Sequence, residues 1–356
     1  MIKRIAIIKG DFHNRHSASW SHAWLSYCER EEIAHDLIAW REPGALAQMM
    51  KCDVVVWHFS HYSNAEMSFA RSFLYAAKQG GLAVYPDFPD AWHFDDKVAQ
   101  SLLYEAIDAP IPKAYYFFDM ETLSAWVDGR NHFPVVAKLK AGSGSQSVKL
   151  LNSGKEILAY GKVMLKGRGL SLTPSIAFKA TSNLKSAGGI KQVIARAKRL
   201  PEFLFTLYNS RQMSRETGYV YLQDFVPNDG FDLKVVTIGD KLSFIGRHVR
   251  AGDFRASGGG GLFYDRDAIT PELIACAFKT ADKMESLCTG FDFAVNNETG
   301  EAVILEVSYG FSHTALLGAG GYFDRTGAWI DTPLNAPEEI LKILWRRIQS
   351  FPRGKA

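Results

Sequence analysis

The sequence reads FDFAV at residues 291–295 and AVILEV at residues 302–307, and each of these short apolar runs carries one acid, Asp292 or Glu306. The turn sequence NNETG at 296–300 separates them, which predicts two neighbouring strands of a hairpin. Ionised acids are rarely kept among apolar side chains unless a cation or a basic partner offsets the cost of desolvation. Two facing carboxylates suit Mg²⁺, which takes one or two protein carboxylates together with phosphate oxygens. An alternative interpretation, acids on the solvated face of an edge strand, fits this hairpin equally well.

The composition is that of a globular protein with more than one domain. The chain has 356 residues, 47% of them apolar and 22% charged, and this length predicts two or three domains. A net charge of +3 is too small to indicate nucleic-acid binding. The four cysteines are scattered without metal-type spacing, which is typical of reduced thiols in the cytoplasm. No apolar run has the length of a signal peptide or a membrane span, so we expect a cytoplasmic protein.

Residues 1–94 alternate between strand-like and helix-like segments. The strands are predicted at 5–8, 35–40, 53–57 and 82–85, with helices between them at 20–32, 43–50 and 65–78. This alternation predicts an open parallel sheet, and ligands of such sheets gather beyond the carboxyl ends of the strands. His58 and His61 follow the third strand, so we expect them to contact substrate. Their spacing also resembles that of zinc ligands, but no cysteine or further carboxylate shares it.

The middle of the chain carries a pattern suited to phosphate. Lys97 lies in the first turn of a helix predicted to reach about residue 107. The strand PVVAKLK at 134–140 is predicted to place Lys138 and Lys140 on one face, and it runs into AGSGSQS at 141–147 before the chain returns at 148–151. A tip of small residues lets backbone N–H groups close over phosphates, and lysine supplies charge to the same oxygens. With the acidic hairpin downstream, this pattern predicts a nucleotide site.

The order of these motifs resembles the ATP-grasp superfamily, most closely the branch of ribosomal-protein glutamate ligases and glutathione synthetase-like enzymes. The resemblance covers roughly residues 95–312. It implies an α/β and α+β fold with an N-terminal parallel-sheet (pre-ATP-grasp) domain and two lobes that sandwich ATP. The implied domains are residues 1–94, a central lobe at 95–205 with the glycine-loop hairpin and a basic insertion, and a C-terminal lobe at 206–356 with the metal site.

The resemblance also implies the roles of individual residues. ATP contacts fall on Lys97, Lys138, Lys140, Gly142, Ser143, Gly144, Ser145, Gln223, Asp224, Phe225 and Val226, the last four at the adenine and ribose. Catalytic contacts fall on Lys234, Arg247 and Arg255, and metal ligation falls on Asp292, Glu306 and Ser308. We expect substrate contacts from His58, His61, Asp232 and Tyr322. The chain departs from the family at Asp224 (more usually Glu), at Lys234 (often Arg) and at Ser308 (commonly Asn).

The function implied by the resemblance is that of an ADP-forming, ATP-dependent carboxylate–amine ligase working through an acyl phosphate. It would use Mg²⁺, with Mn²⁺ as a substitute, and join a carboxylate to an amine on an amino-acid, peptide or glycan-linked acceptor. Two alternatives stay open. One is an ATP-grasp kinase acting on a small molecule, and the other is a non-catalytic ATP-binding protein.

A basic region follows the phosphate pattern. No acid occurs between Glu156 and Glu202, and a basic helix is predicted at 186–200. We interpret the region 157–201 as a docking surface for an anionic acceptor, although a solvated helix face explains it at least as well. A glycine-rich, aromatic stretch around Tyr322 is expected to line the acceptor pocket, or else to pack around Trp329. The chain is predicted to end with an amphipathic helix at 337–349, and a homodimer is compatible with the sequence.

Overall fold

A computed structural model of the protein describes residues 3–11, 13, 19–61, 63–142, 148–170, 215–249 and 261–350. The strands are β1 Ile5–Lys9, β2 His35–Ala39, β3 Val54–Val56, β4 Ala83–Tyr85, β5 Ala114–Phe117, β6 Val135–Lys138, β7 Val148–Leu151, β8 Val220–Asp224, β9 Phe231–Ile238, β10 Lys241–His248, β11 Leu262–Phe263, β12 Cys288–Val295, β13 Ala302–Ser308, β14 Tyr322–Asp324 and β15 Trp329–Ile330. The α-helices are α1 Trp20–Arg30, α2 Ala45–Met49, α3 Asn64–Gln79, α4 Phe88–Ala91, α5 Lys97–Ala106, α6 Met120–Asp128, α7 Gly154–Gly161, α8 Pro271–Lys283, α9 His313–Leu316 and α10 Ala336–Ser350.

The chain forms two compact units. The first comprises residues 1–94, 230–294 and 304–356, and the second comprises residues 95–229 and 295–303. The first unit is therefore built from segments far apart in sequence. The three-domain division expected from the sequence stays a prediction.

The N-terminal segment of the first unit is the parallel sheet that the sequence predicted. Its strand order is β2-β1-β3-β4, and every pair is parallel. Central strands β1 and β3 are almost wholly buried, as continuous apolar strands covered by helices must be. The alternation of strands and helices is thus confirmed.

C-terminal residues complete the core of this unit. The indole of Trp24 on α1 donates to the Pro337 carbonyl on α10 at 3.0 Å, and the hydroxyl of Tyr309 donates to the Phe59 carbonyl at 2.9 Å. These aromatic side chains are buried with the apolar residues of the parallel sheet. The predicted C-terminal helix is confirmed as α10, and its buried residues include Ile340, Leu341 and Leu344.

A seven-stranded sheet carries the acidic hairpin. Its order is β13-β12-β9-β10-β14-β15, with β11 also paired to β10. The predicted hairpin is confirmed as β12 and β13. Its turn closes because Gly300 takes a left-handed φ of 75° and donates to the Asn296 carbonyl at 2.7 Å. Strand β12 is an inner strand, so the acid it carries is not on an edge of the sheet.

The second unit holds the phosphate pattern on an antiparallel sheet of order β5-β8-β6-β7. The predicted strand at 134–140 ends earlier, at Lys138. Helix α5 begins as predicted, because Asp96 is its N-cap and accepts from the Ala99 N–H at 2.9 Å. The basic helix predicted at 186–200 lies outside the described residues. Within the described ranges, no helix is both long and apolar enough to span a membrane.

One buried acid makes the stability of the first unit depend on pH. Asp90 lies in α4 and is 1% exposed; its Oδ1 accepts from the Ser286 hydroxyl, while its Oδ2 has no hydrogen-bond partner. Burial raises the pKa of Asp90 from 3.8 to about 7, although the Ser286 hydrogen bond acts in the opposite direction. The folded protein therefore holds this proton more tightly than the unfolded chain.

We expect wild type to lose stability relative to Asp90→Asn as pH rises through the interval between these two pKa values. The loss between pH 5.5 and 7.5 should be about 2 kcal/mol in the free energy of unfolding, because only the wild-type side chain must ionise inside the fold. Urea unfolding at both pH values measures it, with exposed Asp128→Asn as the control. A wild-type and Asn variant that respond equally to pH would contradict the raised pKa.

Candidate functional site

In the second unit, the start of α5 is tied to the chain that leaves β6. We call residues 138–142 the loop entry. The Lys97 ammonium donates to the Gly142 carbonyl at 2.7 Å, and the Lys97 N–H donates to the Lys140 carbonyl at 2.8 Å. The Gly142 N–H donates to Asp95 Oδ1 at 3.0 Å, and Lys140 pairs with Asp96 Oδ2 at 3.0 Å. The structure thus brings together three of the predicted phosphate-binding residues.

The two lysines of the predicted strand differ in their surroundings. Lys138 is the last residue of β6, lies opposite Tyr221 of β8, and is 8% exposed. Lys140 lies beyond the strand end, and its side chain is 52% exposed. Because the strand stops at Lys138, its two-residue alternation does not extend to Lys140. Lys138 is therefore the buried cation at the loop entry.

The predicted adenine-binding segment is the end of β8. Gln223 is 4% exposed, and its Oε1 has no hydrogen-bond partner. A buried acceptor of this kind costs free energy unless a ligand or water supplies a donor. An exocyclic amine, such as that of adenine, is a suitable donor. Phe225 and Val226 follow the strand and are half-buried, and the Val226 carbonyl accepts from the Asn228 side-chain amide at 3.0 Å.

The neighbouring acid of this segment has protein partners. Asp224 Oδ1 forms an ion pair with Arg130, and its Oδ2 accepts from the Tyr115 hydroxyl at 3.3 Å. The Arg130 guanidinium also lies 4.5 Å from the ring centroid of Trp126. A ribose contact by Asp224 would have to compete with these interactions. Sequence reasoning missed Arg130 and Tyr115, because nothing local marks either one as a partner of this acid.

In the first unit, four charged residues share one face of the seven-stranded sheet. We call Asp232, Lys234, Arg247 and Asp292 the charge cluster. Strand pairing places Asp232 opposite Arg247 and Lys234 opposite Asp292. Arg247 donates to both Asp232 oxygens, from Nε at 2.6 Å and from Nη2 at 2.5 Å. Its Nη2 also lies 3.1 Å from Asp292 Oδ1, and Lys234 Nζ contacts the same oxygen.

Burial and pairing set the protonation of the charge cluster. Burial alone would raise the pKa of Asp292, but the charges of Arg247 and Lys234 outweigh it and hold that pKa below 3.8. Burial raises the pKa of Asp232. The positive charge of Arg247 lowers this pKa, and the negative charge of Asp292 raises it further. Asp292 is therefore the acid that stays ionised most firmly. Asp232, which the sequence predicts to contact substrate, forms an ion pair with Arg247.

The predicted metal ligands fit Mg²⁺ only together with phosphate. Asp292 and Glu306 lie on adjacent strands, and Asp292 Oδ1 has close cations but no aligned hydrogen-bond donor. The Ser308 hydroxyl donates to the Gly310 carbonyl at 2.7 Å and accepts from the Gly310 N–H at 2.9 Å, so it mainly closes a turn. Among the described residues, no group of three or more His, Cys, Asp or Glu is placed to hold a metal. Two carboxylates with phosphate oxygens are a sufficient set for Mg²⁺.

The two histidines predicted to contact substrate, His58 and His61, have aromatic neighbours. The His58 ring stacks on Trp20 with centroids 4.9 Å apart, and burial lowers its pKa to about 3, so it is neutral at physiological pH. His61 lies 6.2 Å from the ring of Phe94. Neither histidine takes part in the ion pairs of the charge cluster.

Tyr322 lies at the other end of the sheet from Arg247. It is the first residue of β14, and the next residue, Phe323, pairs with Leu242 at the start of β10. The five residue-to-residue steps from Leu242 to Arg247 span about 16 Å at 3.3 Å per residue. Ser143, Gly144, Ser145 and Arg255 lie outside the described residues.

Removing one cation of the charge cluster should destabilise the fold strongly. Arg247→Met leaves Asp232 and Asp292 buried with Lys234 alone, and we expect a loss of about 3–5 kcal/mol in the free energy of unfolding. Arg325→Met is the matched control. Its guanidinium also bridges two acids, Asp240 and Asp282, but the side chain is 41% exposed. It should cost about 0–1 kcal/mol. Equal losses in urea unfolding would show that burial does not decide the difference.

No family model matches the sequence, and no curated protein sequence matches it. Solved structures do match. A D-alanine–D-alanine ligase from Bacillus anthracis complexed with ATP has 12% identity and a TM-score of 0.59, covering 98% of this chain and 99% of its own. A RimK domain ATP-grasp protein from Sphaerobacter thermophilus has 13% identity and a TM-score of 0.53, covering 96% and 99%. The ATP-grasp ligase PsnB, complexed with a minimal precursor, has 13% identity and a TM-score of 0.54, covering 98% and 100%. As the sequence motifs implied, the chain has the ATP-grasp fold.

Proposed function

We propose that the chain is an ADP-forming, ATP-dependent carboxylate–amine ligase. The observation that carries the proposal is the charge cluster, in which Lys234 and Arg247 are held beside the buried carboxylate of Asp292. Phosphoryl transfer concentrates negative charge on phosphoryl oxygens, so prearranged cations are its main catalytic requirement. The similar folds named as ligases support the same class.

The second unit supports ATP as the phosphoryl donor. Gln223 offers a buried acceptor without a partner, which suits the adenine amine. Lys97 and Lys138 lie at the loop entry, where they would bind the phosphates, with the backbone of Phe225 and Val226 beside the adenine. Mg²⁺, or Mn²⁺ in its place, held by Asp292 and Glu306, would neutralise charge on the phosphates.

The proposed reaction has two steps. A substrate carboxylate oxygen attacks the γ-phosphorus of ATP, the bond to the β-phosphate oxygen breaks, and ADP leaves. An amine then attacks the carbonyl carbon of the acyl phosphate, inorganic phosphate leaves, and the amine loses a proton. Lys234 and Arg247, with Arg255 from outside the described residues, would stabilise the charge on the transferred phosphoryl group.

We propose only the chemical class of the acceptor, which is an amine. Similar folds include a D-alanine–D-alanine ligase and an ATP-grasp ligase complexed with a minimal precursor, and the fold alone does not choose among amino-acid, peptide and glycan-linked amines. The basic region 157–201 would dock an anionic acceptor.

We place the reaction in the cytoplasm because all four cysteines are free. A homodimer is compatible with this proposal.

A non-catalytic ATP-binding protein is the second candidate. It is favoured by Ser308, whose hydroxyl closes a turn instead of being directed to a metal. Such a protein would bind Mg·ATP without turnover on any substrate panel. Glu306→Ala would then weaken only nucleotide binding.

A coupled assay for ADP over a panel of carboxylates and amines tests the reaction class. A ligase needs both substrates for sustained ADP release, and hydroxylamine in place of the amine should trap the acyl phosphate as a hydroxamate. Carboxylate labelled with ¹⁸O should pass one labelled oxygen to inorganic phosphate. Sustained ADP release with a hydroxyl substrate and no amine would identify a kinase, and AMP as product would contradict the acyl-phosphate route.

Lys138→Ala should reduce ATP turnover by at least about 100-fold, because it removes a buried cation from the charged phosphates. Lys149→Ala is the matched control, since Lys149 lies on the adjoining strand β7 and is exposed. The control should keep wild-type turnover. Normal turnover in Lys138→Ala, with thermal unfolding unchanged, would refute the placement of the phosphate site.

A further inference from the structure

A tyrosine hydroxyl holds the backbone of the loop entry. Tyr219, which directly precedes β8, accepts through its hydroxyl oxygen from the Lys140 N–H at 2.6 Å. The same hydroxyl donates to Glu216 Oε2 at 3.0 Å. Burial raises the pKa of Tyr219 well above its usual range, so the hydroxyl keeps its proton and can make both bonds.

Glu216 itself lies in a hydrogen-bonded segment that we call the neck, formed by residues 168–170 and 215–219. The Leu170 and Glu216 backbones exchange hydrogen bonds of 2.9 and 2.8 Å. Arg215 donates to the Arg168 and Gly169 carbonyls, both at 2.8 Å. Gly169 has a φ of 64°, and a Cβ there would lie 2.1 Å from the Glu216 carbonyl oxygen, so only glycine allows this close approach.

The loop entry is thus restrained from two directions. The start of α5 binds it through Lys97 to the Lys140 and Gly142 carbonyls. The neck binds it through Glu216, Tyr219 and the Lys140 N–H. Because β6 ends at Lys138, no strand pairing among the described residues restrains Lys140, and the Tyr219 hydroxyl binds its N–H.

We propose that Tyr219, oriented by Glu216, is a positioning residue for the phosphate end of the nucleotide. This inference rests on the proposed function, and it assigns to the neck a role that the fold alone does not. Tyr219 fixes Lys140 and Gly142 relative to Lys97, so the cations that meet the phosphates are placed before ATP arrives. Preorganisation of this kind reduces the entropy lost on binding.

Loss of the Tyr219 hydroxyl should weaken the binding of the ATP phosphates and leave the binding of adenosine unchanged. Gln223, the proposed adenine acceptor, lies four residues further along β8 and makes no contact with the Tyr219 hydroxyl among the hydrogen bonds described. Tyr219 positions the loop entry without itself touching the transferred phosphoryl group, so we expect its contribution to be equal in the ground and transition states. Loss of this positioning therefore raises KM for ATP and leaves kcat unchanged.

Tyr219→Phe tests the proposal, because it removes the hydroxyl and keeps the ring. Loss of the hydrogen bond to Lys140 should weaken ATP binding about threefold to tenfold, measured by calorimetry and as KM. Adenosine, which lacks phosphates, should bind as it does to wild type. Tyr116→Phe is the matched control, because the Tyr116 hydroxyl donates to Ser101 at 2.8 Å elsewhere in the same unit. This control should bind both ligands normally.

Changes at Glu216 provide a second, independent readout. Glu216→Gln keeps an oxygen acceptor for Tyr219 and should stay within about twofold of wild type for ATP, whereas Glu216→Leu should match Tyr219→Phe. Equal weakening of ATP and adenosine, or unchanged ATP binding in Tyr219→Phe, would overturn the inference and leave the proposed function standing. Absence of ATP binding to wild type would overturn both.

Discussion

Two carboxylates and two cations share one buried face of the seven-stranded sheet. Any one of the four charges, buried there without the others, would destabilise the fold. Taking an ion out of water costs several kcal/mol even after relaxation, so each charge of the cluster depends on its partners. Arg247 reaches both Asp232 and Asp292, while Lys234 reaches Asp292 from the neighbouring strand. The same arrangement holds Asp292 ionised and keeps two cations beside it, which is the condition that phosphoryl transfer requires. Stability and proposed function therefore rest on the same contacts.

A different use of charge is found at the end of β8. Asp224 is satisfied by Arg130 and Tyr115, while its neighbour Gln223 is buried with an unused acceptor. Adjacent residues on a strand point to opposite faces, so one can serve the protein while the other serves a ligand. The two lysines of the loop entry differ in exposure and contacts. Lys140 is bound by Asp96 and Tyr219, whereas Lys138 lies buried at the strand end. Much of the polar chemistry around the predicted nucleotide site serves to position neighbouring residues.

The elements that the sequence predicted are those with local signals, whereas β5, β9, β10 and α6 to α8 were not predicted. Apolar runs bounded by Gly, Pro and Asn predicted the parallel sheet and the acidic hairpin, and both are present. Asp95-Asp96-Lys97 predicted the start of α5 for the same reason, since an N-cap is recognised within four residues. One long-range contact could also have been found. Gly239 and Asp240 form a two-residue connection between β9 and β10, and that connection fixes the register that places Asp232 opposite Arg247.

What the sequence determined by itself was the alternation of strands and helices in residues 1–94, the hairpin carrying Asp292, and the cations and small residues suited to phosphate. These features depend on neighbours a few residues apart. Only the tertiary structure decided which charges are satisfied. Asp224 and Arg130 are 94 residues apart, and Tyr219 and Lys140 are 79 apart, so no local pattern links them. The end of β6 at Lys138 was also decided there, since strand pairing sets where the alternation of faces stops. Contacts between residues far apart in sequence set how deeply each side chain is buried and which partner it binds. Those contacts therefore decide whether a polar residue positions its neighbours or can bind a ligand.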